Sequence, residues 1–185
     1  DVPMIEFLLR AGADPNERDY RKYNMLDVMF VKMSDLKRIS WKMARRASQL
    51  IPVIHRLLHA DRLEISAEQA KFALHLAIDQ GNLALTRRLI VRFPKAINNF
   101  PGSRFESPLI LAAEHGAQTL ARELLTAGAD PNSQDESART PLSVARARGD
   151  LKLTKLLLAH VADPDLLDTE GTTPRQMAQS DPNPD

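Results

Sequence analysis

Pro108, Pro141 and Pro174 are evenly spaced, and no other feature of the sequence restricts the fold as tightly. Gly116 and Gly149 keep the same interval, and so do the pairs Asp130-Pro131 and Asp163-Pro164. Three residue types sharing one period, of about 33 residues, mark a stack of supersecondary units. A unit of that size cannot bury its own apolar face, so each must be covered by its neighbours. Aromatic residues make up only 5% of the chain and hydrophobic ones 43%, supplied mainly by Leu, Ile, Ala and Val. That supply suits packed helices better than strands, which favour aromatic and β-branched side chains. The predicted class is therefore all-α.

The strings behind the period are ESPLILAAEHGAQTLARELLTAGADPNSQ from Glu106 and RTPLSVARARGDLKLTKLLLAHVADPDLLD from Arg139, then a shortened TTPRQMAQ from Thr172. They resemble the ankyrin repeat: a TPLH-type start, a glycine between two short helices, and a leucine pair before an AGAD-type loop. The resemblance implies a solenoid of stacked antiparallel helix pairs with β-turn-like loops. The Arg-, Ala- and Leu-rich helices and GADPN turns also resemble bacterial members of the family.

Upstream the register continues less regularly. IEFLLRAGADPN at 5–16 reads as the second half of a repeat, and NMLDVM at 24–29 opens the next, with Met25 in the proline place and Asp27 in the histidine place. FALHLAIDQGNLALTRRLIVRFP at 72–94 opens another, with Ala73 in the proline place. The interval from Met25 to Ala73 is nearly one and a half periods. One enlarged repeat therefore carries an insertion of roughly 15 residues beyond the regular period. The expected organisation is one domain over 1–185: a half repeat at 1–17, the enlarged repeat at 18–65, repeats at 66–99, 100–133 and 134–167, and a partial capping repeat with a tail at 168–185.

Each repeated position has a structural reason. Ser107, Thr140 and Thr173 precede the prolines and can cap a helix whose first position tolerates Pro. Gly81, Gly116 and Gly149 mark inter-helix turns that select positive φ. Leu8, Leu9, Leu89, Leu124, Leu125, Leu156 and Leu157 fall at helical spacing and are expected in the core.

Motifs that would carry chemistry are lacking. There are no cysteines, which removes disulfides and thiolate chemistry. His55 and His59 share an i, i+4 spacing, but HRLLH lacks the Glu a zinc protease places after its first His. His75 takes the TPLH histidine place, His115 precedes Gly116, and His160 ends a second helix, where a cation suits the dipole. No nucleophile elbow, phosphate loop or dinucleotide fingerprint occurs. Asp135 and Glu136 lie in a turn expected to be exposed, which cannot raise an acid's pKa by desolvation. The expectation is a non-enzyme without cofactor, metal or small-molecule substrate. No apolar run approaches a membrane span, and the first residues show no signal peptide. A soluble protein is expected, in the cytoplasm by preference, with a host cell or periplasm also compatible.

The resemblance implies that recognition falls on the concave face, built from turn tips and first helices. The tips are 18–24, 98–106, 134–139 and 167–172. Candidate contacts are Arg18, Tyr20, Arg21, Lys22 and Tyr23 on the first, Phe100, Arg104 and Phe105 on the second, and Asp135, Glu136 and Arg139 on the third. Tyr, Phe and Arg clusters of this kind anchor interfaces, although Phe100 and Phe105 could instead fold inward. Residues 18–62 hold eleven Lys or Arg against four acids, a local balance of +7 within a total of +1. Trp41, Lys42, Arg45 and Arg46 lie in this block, which is either a solvated face or a surface that steers a partner. The reading is a protein-interaction module, monomeric when unbound, whose partner is acidic if the basic block takes part. An inhibitor or effector role is its narrower form. Nucleic acid or anionic membrane binding, and a place as the non-catalytic part of a larger enzyme or effector, are the alternatives.

Overall fold

The computed structural model describes residues 7, 10–14, 16–17, 19–20, 65–98 and 107–179. The insertion of the enlarged repeat lies outside these residues, as do Leu8, Leu9, His55 and His59. Within them the chain is helical, without strands, and runs as α1 (Ala67–Asp79), α2 (Leu83–Arg92), a 3-10 turn (Pro94–Ala96), α3 (Pro108–Glu114), α4 (Gln118–Thr126), α5 (Pro141–Ala147), α6 (Leu151–Ala159) and α7 (Pro174–Gln179).

Helices pair as α1 with α2, α3 with α4 and α5 with α6. The first helices α1, α3, α5 and α7 stack in sequence as an inner row, and α2, α4 and α6 stack beside them as an outer row. This is the expected all-α solenoid. Its core runs between the rows: Leu74, Leu85, Leu89, Leu109, Ile110, Leu124, Leu142, Leu153 and Leu157 are buried, at most 2% exposed. Fully burying one such side chain stabilises the fold by about 1.5–3 kcal/mol.

The helix starts are made as their sequences predict. Pro108 and Pro141 follow capping Ser107 and Thr140, and the Thr140 hydroxyl accepts from the Ser143 N–H while Ser143 Oγ accepts from the Thr140 N–H. Thr173 and Gln176 exchange the same pair of bonds ahead of α7. Gly81, Gly116 and Gly149 turn between the helices of a pair at φ +63, +63 and +67, a conformation that costs other residues a Cβ clash.

One start departs from expectation. The repeat spacing opens this unit at Phe72, yet α1 begins at Ala67, capped by a box between Ser66 and Gln69. Without a proline at position 73, nothing breaks the helix there. The extra turn carries Lys71, which is fully buried and donates from Nζ to the Asn98 carbonyl at 3.5 Å.

The loops between repeats are tied by a ladder of amides. Asn98 Oδ1 accepts from Asp130 N–H at 2.8 Å and its Nδ2 donates to the Gly128 carbonyl at 2.9 Å. One repeat on, Asn132 Oδ1 accepts from Asp163 N–H at 2.7 Å and Nδ2 donates to the Val161 carbonyl at 3.4 Å. At both junctions an asparagine at the loop holds the next loop in register.

Candidate functional site

The two C-terminal tips are built alike. Asp135 Oδ1 accepts from the N–H groups of Ser137 and Arg139 at 2.8 and 2.9 Å. Asp168 Oδ1 accepts from those of Glu170 and Thr172, both at 2.9 Å. Each aspartate thus closes its own turn by Asx bonding. Neighbouring tips are joined where Thr169 N–H donates to the Ser137 carbonyl at 3.1 Å and Gln134 Nε2 to the Leu167 carbonyl at 3.2 Å.

The exposure expected of Asp135 is corrected by this arrangement. Its side chain is only 7% exposed, and Oδ2 accepts from Arg139 Nε at 2.7 Å. The turn folds the carboxylate inward because it must satisfy two backbone donors. Its part is to position Arg139, whose Nη2 also reaches Glu114 Oε1 on α3 at 2.8 Å. The hydrogen bond to Asp135 raises the Arg139 pKa most; desolvation opposes the rise, and the bond to Glu114 adds to it. Arg139 is 44% exposed on its side chain, so it remains presentable to solvent. Glu136 is exposed, as expected of a tip residue.

Beneath these tips the inner row forms a groove of about 330 Å³, lined by Glu114, Arg139, Ser143, Val144, Ala147, Arg148 and Asp168. Val144 gives it an apolar wall, and Arg139 with Glu114 gives it a charged one. Arg148 crosses to the preceding repeat: its guanidinium lies 3.1 Å from where a Cβ on Gly116 would stand. It forms no ion pair among the described residues and is exposed, a fork open to a carboxylate. Farther along the same row, His115 Nε2 lies 3.3 Å from Asp79 Oδ1.

Of the groove residues, Arg139 stands out in the sequence, whereas Arg148, Ser143, Val144 and Ala147 do not. The period is the signal that could have found Arg148, which stands one full repeat after His115, at the end of the inner helix before the turn glycine. Among the other candidates, Tyr20 is 87% exposed. Arg18, Arg21, Lys22, Tyr23, Trp41, Lys42, Arg45, Arg46, Phe100, Arg104 and Phe105 lie outside the described residues. Among the described residues no group of His, Asp and Glu is gathered as metal ligands, and no helix is long and apolar enough to cross a membrane.

A family model for ankyrin repeats (3 copies) matches residues 42–135 and 109–183, most of the chain. The chain belongs to the ankyrin-repeat family. Its repeats are a non-catalytic module that generally mediates protein–protein interaction. Among its relatives, human ARF GTPase-activating protein GIT2 is 35% identical over 97 residues, which is 52% of this chain and 12% of that protein. The mouse ARF GTPase-activating protein GIT1 is 36% identical over a stretch of the same length, again 52% of this chain and 12% of that protein. The chicken nuclear factor NF-kappa-B p105 subunit is 31% identical over 156 residues, 71% of this chain and 16% of that protein. The ankyrin chain thus spans under a fifth of each of these relatives. They are vertebrate proteins and lend no support to the bacterial likeness of the helices.

Proposed function

We propose that this chain binds a protein partner along its inner face, with the turn tips as rim and the groove at Arg139, Val144 and Arg148 as a contact centre. The observation that carries this reading is Arg148: an exposed guanidinium, without an ion pair among the described residues, beside an apolar wall. That is the composition of an interface anchor. Glu136 and Arg139 supply rim charges, and Asp135 holds Arg139 in place. The basic block at 18–62, with eleven Lys or Arg against four acids, is proposed to meet an acidic region of the partner. Arg21, Lys22, Arg45 and Arg46 are its proposed contacts, beside Arg18, Tyr20, Tyr23, Trp41 and Lys42; Phe100, Arg104 and Phe105 are proposed contacts of the following tip.

A polyanion fits the described tips poorly. Asp163, Asp165, Asp168 and Glu170 crowd the last loop and tip, where they would repel phosphates. Protein is therefore favoured over nucleic acid or an anionic membrane. Inhibitor and effector roles are narrower forms of the same reading, which the identity of the partner decides.

The experiment is affinity capture with the whole chain as bait, followed by titration of the captured protein against two variants. Arg148→Glu is expected to weaken binding at least about tenfold. Reversal of Arg21, Lys22, Arg45 and Arg46 to Glu is expected to slow association more at low salt than at high salt. Unchanged affinity in the first variant removes the groove from the account; unchanged association in the second removes the basic block.

A further inference from the structure

The last residue of each inner helix and the cap that follows it form two columns along the row: Asp79, Glu114 and Ala147 in one, Gln80, His115 and Arg148 in the other. An acid of the first column meets a base of the second one repeat on, where Asp79 Oδ1 lies 3.3 Å from His115 Nε2. By the same step Glu114 is the partner of Arg148, and both line one groove. Yet Glu114 is already taken. Its Oε1 accepts from Arg139 Nη2 at 2.8 Å, while Arg139 Nε donates to Asp135 Oδ2 at 2.7 Å. Arg148 is left without an ion pair among the described residues, its guanidinium laid over Gly116, which has no side chain to displace it.

We propose that Arg139 is a positioning residue, which withholds Glu114 from Arg148 so that Arg148 can take a carboxylate side chain of the partner. The proposal rests on the reading that the inner face binds protein, and it names the chemistry that the groove accepts. A guanidinium paired with a neighbour must give up that bond before it forms another, whereas a free one presents its fork at once. Asp135 makes the withholding firm. The turn fixes its carboxylate through the N–H groups of Ser137 and Arg139, and the bond to Arg139 Nε leaves Nη2 for Glu114.

The surroundings choose among anions. Glu114 and Asp168 line the groove with Arg148, and their charges oppose a phosphate dianion more than a carboxylate of single charge. A chain-terminal carboxylate is captured by a nest of free backbone N–H groups. At the two neighbouring tips, those of Ser137, Arg139, Glu170 and Thr172 are already bound by Asp135 and Asp168. An Asp or Glu side chain fits best, with an aliphatic neighbour against Val144 and Ala147.

The probe is a library of random peptides displayed on phage and joined through their C-termini, so that none ends in a free carboxylate. Selection on the whole chain is expected to enrich Asp or Glu next to an aliphatic residue, and selection on Arg148→Glu to put Lys or Arg in that place. The most enriched acidic peptide, amidated at its C-terminus, is then titrated against three variants whose thermal unfolding shows that the fold is kept. Arg139→Gln is expected to weaken it at least about fivefold, because Glu114 closes on Arg148; Glu114→Gln is expected to change it less than about twofold, and the double variant to regain most of the loss. Selection without an acidic preference, or with the same preference on Arg148→Glu, overturns the carboxylate. An equal effect of Glu114→Gln with and without Arg139 overturns the withholding, since simple charge balance or direct contact by Arg139 would be additive. The underlying reading fails separately: a captured partner that needs Arg148, with no acidic peptide selected, keeps inner-face binding and removes only this proposal.

Discussion

Val161 shows how much one side chain can cost this fold. In the AGAD loops of other repeats the equivalent residue is Gly12 or Gly128, at φ +87 and +92. Val161 takes φ +64 with a β-branched side chain that is 81% exposed. Left-handed backbone costs an L-residue about 1–2 kcal/mol, and exposure means that no packing offsets it. Val161→Gly is therefore expected to stabilise the chain by about 1 kcal/mol after the entropy of glycine is subtracted. Urea unfolding would show a higher midpoint at unchanged slope. The residue is legible in the sequence as a break in AGAD; its strain is not, because the period specifies the turn and not whether a given residue suffers in it. Asp135 escapes a sequence reading for a related reason. A turn residue reads as solvated, whereas an aspartate that accepts two backbone N–H groups is drawn inward by them.

At the scale of the helix, the caps and the pairing between repeats carry the local specificity. Thr140 is 2% exposed and both members of its capping box are satisfied. Thr140→Ala leaves the Ser143 N–H buried without its acceptor, and about 1–2 kcal/mol of stability is expected to be lost. Thr140→Ser, which keeps the oxygen, is expected to lose much less in the same urea titration. Arg87 and Glu123 join α2 to α4, and the hydrogen bond from Arg87 holds the Glu123 carboxyl below its ordinary pKa. A carboxylate lowered on folding contributes stability above its unfolded pKa and loses it as pH falls through the lowered folded value. The difference between the parent and Glu123→Gln should thus be present at neutral pH, close on acidification and shrink with salt, because the pair is solvent-exposed. Unfolding midpoints over a pH series check this. Helix starts at Ser107 and Thr140 are readable from Ser-Pro and Thr-Pro. The start of α1 at Ala67 is hidden by the period, which leads past Ser66 and Gln69 although their three-residue spacing is itself a capping signal.

Over the whole molecule, the sequence period carries most of the information about the fold and much less about the binding surface. Leucines at helical spacing must be buried wherever the stack continues, so the core follows from the period alone. Inner-face residues such as Val144 are set apart only by where the helix pair points them; the period gives Arg148 its place one repeat after His115, but not the groove beside it. The two rows differ in what they offer. The inner row presents the tips and the groove, while the outer row carries Arg87, Arg122 and Lys155 with Glu123 as a bridge. The central claim, that the inner face grips a protein partner, is tested most directly by hydrogen–deuterium exchange on the captured complex. Protection is expected at residues 134–139 and 143–148 and at the tip 167–172, with α2 and α4 unchanged on their exposed faces. Protection confined to α2 and α4, with the inner tips exchanging as in the free chain, would contradict it.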